Sequence, residues 1–194
     1  MLGIVLCGGT SSRMGRDKGL LLSTNGTWAK KMLNNLRELG ITSALSVNSN
    51  QFEQYATEFT KTELIVDSDL ILLKGPLAAV LSVHAKYPLE DLFVTACDMP
   101  LMDTIVLKEL FNNYLKDSGK ACFVFTNEGE PEPLCGIYSA KGLAKIKTMY
   151  DGGQLVRHSM KFILDHLVTS LIPIPENWKI YFKNVNAHAD LNGL

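Results

Sequence analysis

At 194 residues, 46% of them hydrophobic and 20% charged, the chain is long enough for one α/β domain with a full core. Its formal net charge of −1 offers no global attraction for nucleic acid or an anionic membrane, so any positive field must be local. No basic segment precedes a long apolar run, so neither a signal peptide nor a membrane span is expected.

The first apolar run, residues 2–7, reads as a buried parallel strand. It breaks into a stretch rich in glycine, hydroxyl residues and charge that ends at Gly19. A helix is expected over 27–39, with Trp28, Met32, Leu33, Leu36 and Leu39 on one face and Gly40 as its stop. A second strand over 41–47, a short amphipathic helix over 52–59 and a third strand over 63–66 follow. Gly75-Pro76 opens a helix over 77–87, with proline in its first turn. A fourth strand over 92–97 precedes a helix over 103–116, which buries Val106, Leu107, Leu110, Phe111 and Tyr114 and for which Asp103 is well placed as a cap. Alternating strands and helices with short connections predict a single Rossmann-like domain with a mostly parallel, doubly wound sheet. The second half is less regular. It reads as a strand over 121–126, a polar loop over 127–133, a strand over 134–139, two helices within 141–167 broken near Gly152-Gly153, a late strand over 167–174 and a short terminal helix.

Gly8 and Gly9 allow close approach of a ligand to the main chain, and successive N–H groups in such a loop form an anion-binding concavity. Arg13, Arg16 and Lys18 add positive charge within a few residues. The spacing fits neither a P-loop, which needs G-x-x-x-x-G-K-S/T, nor the dinucleotide fingerprint G-x-G-x-x-G. In open α/β sheets ligands bind beyond the carboxyl ends of the strands. There stand the glycine loop, Asn48, Asp67 and Asp98, a set that suits a nucleotide with a divalent metal. Asp98, followed closely by Pro100, is the candidate magnesium ligand, because Mg²⁺ favours one or two protein carboxylates with phosphate oxygens and water. Lys18 and Arg13 are the cations best placed to offset charge developing on a reacting phosphate. Cys7, Cys97, Cys122 and Cys135 lack C-x-x-C spacing and read as small buried hydrophobes, which fits a reducing cytoplasm. His84, His158, His166 and His188 form no metal-binding pattern and read as packing or surface residues.

The pattern L-x-G-G-x-S-x-R-M-G-x-D-K-G, whole between Leu6 and Gly19, resembles the signature loop of nucleotidyltransferases of the nucleotide-diphospho-sugar transferase fold. Its ending Asp17-Lys18-Gly19 is most similar to the molybdenum cofactor guanylyltransferase (MobA) family. Cys97-Asp98-Met99-Pro100 resembles that family's C-D-x-P motif, whose aspartate holds magnesium. Val47-Asn48-Ser49-Asn50 and Val66-Asp67 are similar to segments that contact the guanine nucleotide, Gly75-Pro76-Leu77-Ala78 to one near the base, and Pro133 to Tyr138 to a strand of the acceptor half. Asn184-Val185-Asn186 resembles a segment close to the metal and acceptor. Ala79 departs from the family's glycine, and Gly136 from a larger residue where the pterin would lie.

The resemblance implies transfer of GMP from Mg-GTP to the terminal phosphate of molybdopterin or Mo-molybdopterin, with release of pyrophosphate. Arg13, Lys18 and Asp98 would be catalytic, Asp98 would hold Mg²⁺, and Leu6, Cys7, Gly8, Gly9, Lys18, Asn48, Asp67 and Asp98 would bind the nucleotide. The N-terminal half would bind nucleotide and the C-terminal half the acceptor. The enzyme would be a monomer with transient contacts to other cofactor-handling proteins, without nucleic-acid or membrane partners. Two alternatives stay open at this point: a nucleotidyltransferase using CTP or acting on a sugar phosphate, and a nucleotide-binding module without turnover.

Overall fold

The computed structural model describes residues 1–8, 17–23 and 26–185. The first strand, β1 (Leu2–Leu6), is followed by a 3-10 turn at Lys18–Leu20 and two short strands, β2 (Leu22–Ser23) and β3 (Gly26–Thr27), paired antiparallel. Then come α1 (Trp28–Glu38), β4 (Ser43–Val47), α2 (Phe52–Tyr55), β5 (Leu64–Val66), α3 (Pro76–Lys86), β6 (Leu92–Ala96) and α4 (Thr104–Lys116). The second half contains β7 (Cys122–Asn127), β8 (Glu130–Tyr138), α5 (Ala140–Asp151), α6 (Met160–Leu164), β9 (Thr169–Pro173) and a 3-10 helix at Glu176–Phe182.

Among the described residues, seven strands form one sheet in the order β5-β4-β1-β6-β8-β7-β9. Only β8 runs against the rest, pairing antiparallel with both β6 and β7. Helices cover both faces, which is why the central strands are apolar on both sides rather than alternating. Val5 and Phe93 face a core closed by Met32, Leu33 and Leu36 of α1 and Val106, Leu107 and Leu110 of α4. Ile4 and Val94 face the opposite core, closed by Leu77, Val80 and Leu81 of α3, Leu143 and Ile146 of α5, and Ile163 of α6. The expected single α/β domain with a mostly parallel sheet is the observed one.

The apolar stripe predicted for the first helix is the buried face of α1, and Asp103 caps α4 by accepting a hydrogen bond from the Ile105 amide at 2.9 Å. Two local expectations need correction, and one element was not anticipated. The polar stretch 127–133 is no loop: Glu128 and Gly129 both take positive φ, 52° and 87°, forming a two-residue hairpin turn. β8 then begins at Glu130; Pro133 falls where the β7–β8 register shifts between Val124 and Phe125, and Pro131 lies beyond the part of β8 that pairs with β6. The helix expected over 52–59 keeps its regular form only over Phe52–Tyr55. Residues 176–182 form a 3-10 helix that no apolar period announced. The expected terminal helix lies outside the described residues.

All four cysteines are free and buried, as their apolar settings imply. Gly136, a departure from the family pattern, sits between Val94 and Val124 in the sheet. A Cβ there would lie 2.7 Å from Val124 Cγ1 and 3.1 Å from the Phe123 carbonyl, so tight strand packing explains the glycine.

Candidate active site

The carboxyl ends of β1, β4, β5 and β6 meet at one edge of the sheet, and a cleft of about 640 Å³ opens there. Its walls include Leu6 and Gly8 from the end of β1, Asn48 after β4, Asp67 after β5, and Gly75, Pro76 and Ala79 at the start of α3. All its described lining residues lie between Leu6 and Ala79, in the half of the chain expected to take the nucleotide. Gly75 has φ 79° and ψ −165°, a region essentially restricted to glycine, and this lets the chain turn directly into Pro76 at the first position of α3. The N-terminal end of an eleven-residue helix therefore contributes to the wall, where unsatisfied N–H groups favour polar and anionic groups. Ala79, despite its extra methyl relative to glycine, lines the same wall.

The carboxylate of Asp67 stands beside Gly8: a Cβ on that glycine would lie 3.5 Å from Asp67 Oδ2. Buried Ser46, on β4, donates its hydroxyl to Asp67 Oδ1 at 2.6 Å. Burial raises the Asp67 carboxyl above its ordinary range, and the Ser46 hydrogen bond opposes that shift. Asn48 shapes its own turn. Its Oδ1 accepts from the Asn50 amide at 3.0 Å and the Gln51 amide at 3.1 Å, which gives Asn50 a backbone role in that turn.

Asp98 follows β6, and Lys18 reaches it from the far side of the glycine loop. Lys18 Nζ donates to Asp98 Oδ2 at 3.3 Å, and the two side chains are 20% and 24% exposed. This contact spans eighty positions of sequence and assembles two of the three expected catalytic residues. The third, Arg13, lies outside the described residues, as do Gly9, Arg16 and Asn186. The turn after Asp98 is held from α1: Lys31 Nζ donates to the Pro100 carbonyl at 2.5 Å, and buried Asn35 donates to the Met102 carbonyl at 3.0 Å. The Val185 amide donates to the Asp98 carbonyl at 3.0 Å, which brings the expected acceptor-side segment against the candidate metal ligand.

Leu6 lines the cleft, whereas the Cys7 side chain is buried. Cys7 contributes instead a carbonyl that accepts from Gln51 Nε2 at 2.9 Å. Gln51, Tyr55, Lys31, Asn35 and Ser46 were not anticipated as site residues. Asn35 carried a signal, because it interrupts the otherwise apolar stripe of α1. The others did not, because their partners are remote in sequence.

The donor set suits a hard cation held largely by its substrate. Among the described residues no group of three or more His, Cys, Asp or Glu side chains is arranged to hold a metal. Asp98 offers a carboxylate of the kind that would hold magnesium together with phosphate oxygens and water. Also among the described residues, no helix is long and apolar enough to cross a membrane.

Residues 3–169 match the family described as the MobA-like NTP transferase domain. A protein of Flavobacterium johnsoniae named as a probable molybdenum cofactor guanylyltransferase is 30% identical over 190 residues, covering 98% of this chain and 94% of that one. The fold is similar to that of molybdopterin-guanine dinucleotide biosynthesis protein A from Archaeoglobus fulgidus, with a TM-score of 0.79, 22% identity, and coverage of 100% of this chain and 96% of that one. A CMP:2-keto-3-deoxy-manno-octonic acid synthetase solved with CTP shares the fold at a TM-score of 0.70 and 11% identity, over 99% of this chain and 95% of that one. With the family matched across most of its length and the fold shared from end to end, the chain belongs to the MobA-like NTP transferase domain family and is a nucleotidyltransferase.

Proposed function

We propose that this enzyme transfers GMP from Mg-GTP to the terminal phosphate of molybdopterin or Mo-molybdopterin, making the guanine dinucleotide form of the cofactor in the cytoplasm. The observation that carries the reading is the Lys18–Asp98 pair at one sheet edge with the cleft formed by Gly8, Asn48, Asp67 and the start of α3. The Flavobacterium johnsoniae relative, named as a probable molybdenum cofactor guanylyltransferase, supports the choice of nucleotide and acceptor.

In this reading an oxygen of the acceptor phosphate attacks the α-phosphorus of GTP. A new P–O–P linkage forms as the bond to the β-phosphate oxygen breaks, and pyrophosphate leaves with the electron pair. The attacking phosphate is already anionic, so no side chain has to remove a proton. The protein's task is in-line positioning and stabilisation of charge. The backbone at Gly8 admits the phosphates closely, and Lys18, with Arg13, offsets charge on them. Asn48 and Asp67 orient the nucleoside, with Ser46 fixing the Asp67 carboxylate. Asp98 would hold magnesium, which when bound neutralises part of the triphosphate charge. The C-terminal half, joined to this edge through Val185, would carry the acceptor.

Calorimetric binding of GTP, CTP, ATP and UTP with magnesium, to the wild type and to Asp98→Ala, tests the nucleotide assignment. A GTP preference whose magnesium dependence disappears in Asp98→Ala is expected, followed by pyrophosphate release that requires the pterin acceptor. A preference for CTP or UTP would overturn the guanylyl assignment. GTP binding without pterin-dependent pyrophosphate release would overturn the reaction.

A further inference from the structure

Asp17, Gln51 and Tyr55 form a set of buried and half-buried hydrogen bonds directly beneath the two stems that flank residues 9–16. Gln51 is 7% exposed and its side-chain amide makes three contacts. Its Nε2 donates both to the Cys7 carbonyl, on the outgoing stem, at 2.9 Å and to Asp17 Oδ2 on the returning stem. Its Oε1 accepts from the Asn48 amide at 3.0 Å, in the turn after β4. Tyr55, wholly buried, donates its hydroxyl to Asp17 Oδ1 at 2.5 Å, and the Gly19 amide donates to the same oxygen at 3.0 Å. One side chain thus ties together three separate pieces of the cleft edge. The next residue after Asp17 is Lys18, whose ammonium meets Asp98.

We propose that Gln51 and Tyr55 are positioning residues: through Asp17 they hold the stems of the phosphate loop together and aim Lys18 at the reacting phosphates. The inference rests on the nucleotidyl-transfer reading of the site and adds residues that touch neither nucleotide nor metal. Hydrogen bonds to a carboxylate in a part-buried setting hold geometry well, since breaking one takes from Asp17 one of the three donors that fix its orientation. No water-exposed lysine could be held as firmly by its own flexible stem. The clamp acts on the phosphate end of the cleft. The start of α3 and Asp67 are positioned by other contacts, and the Asn48 amide keeps an acceptor at position 51 when glutamine is replaced by glutamate, so the nucleoside end stays in place when the clamp on Asp17 is weakened.

That separation supplies the test. Tyr55→Phe and Gln51→Glu are the variants: the first removes only a hydroxyl, and the second keeps the acceptor for the Asn48 amide while replacing the donor with an anion facing Asp17. The readouts are calorimetric affinities for guanosine and for inorganic tripolyphosphate with magnesium, together with kcat and KM for GTP. Both variants are expected to bind tripolyphosphate about tenfold or more weakly while guanosine affinity stays within about twofold, with the loss in turnover falling mainly on kcat. Equal losses for both ligands would mean the network only supports the fold and would overturn the proposal, as would unchanged tripolyphosphate binding in folded variants. If the wild type prefers another triphosphate, the guanylyl reading fails, and the same comparison with that nucleoside still decides the clamp.

Discussion

Gly19→Ala isolates the contact on which the placement of Lys18 depends. A Cβ at position 19 would run into the Tyr55 hydroxyl, with the ring Cζ at 3.2 Å and Ala29 Cβ at 3.4 Å behind it. The tyrosine has to withdraw, and it is wholly buried, so its hydroxyl leaves Asp17. Losing a hydrogen bond to a charged acceptor costs about 1.5–3 kcal/mol. Alanine returns about 0.4–1 kcal/mol by restricting the unfolded chain. The net cost is about 0.5–2.6 kcal/mol, or about 1–10 °C in melting temperature for a protein of this size. Tyr55→Phe removes both the obstructing hydroxyl and the hydrogen bond. In that background Gly19→Ala should change stability by no more than about 0.5 kcal/mol, since a ring carbon at 3.2 Å needs only a small shift. Urea denaturation of the wild type, both single variants and the double variant measures the coupling, expected at about 0.5–2.6 kcal/mol. Additive effects would refute the claim that the tyrosine hydroxyl is what requires glycine here.

Gly136→Ala should destabilise by about 1–3 kcal/mol, because its Cβ meets Val124 and the Phe123 backbone; Val124→Ala should recover part of the loss in the same urea experiment. His84 is 3% exposed with Nδ1 unpartnered, and burial, then Lys147, lowers its pKa below 6.5. Its neutral form is therefore favoured in the fold: stability is full above pH 6.5 and falls as pH drops through the lower folded value, a slope that His84→Leu should reduce in urea titrations. Burial raises the Glu63 carboxyl, but the Thr60 amide, Arg37, the Thr60 hydroxyl and Lys30 outweigh it and bring the pKa to about 2. That contribution is present above 4.5 and is lost as pH falls towards about 2, so Arg37→Met should flatten acid unfolding in this window. Lys18→Ala should lower kcat about 10²–10³-fold, by analogy with lost transition-state donors, and a loss of less than about fivefold in steady-state kinetics would remove Lys18 from the chemistry.

The sequence by itself determined the elements whose information is local: the apolar run of β1, the stripe of α1, the Asp103 cap of α4 and the strand-end positions of Asn48, Asp67 and Asp98. Each follows from a period or a cap readable within a few residues, and the signature between Leu6 and Gly19 identified the nucleotidyltransferase chemistry. The reversal of β8 required tertiary structure, because the two-residue turn at Glu128-Gly129 is disguised by two prolines that read as loop. So did the site's supports. Gln51 and Tyr55 look like a polar turn residue and an apolar residue of a minor helix, and only the tertiary placement of the segment after β4 brings them to Cys7 and Asp17. Lys18 and Asp98 were each legible as types at suitable positions, but their meeting depends on β1 and β6 lying side by side. Hydrogen bonds between segments tens of residues apart leave no periodic trace in a single chain, which is why the clamp emerged only from the folded arrangement.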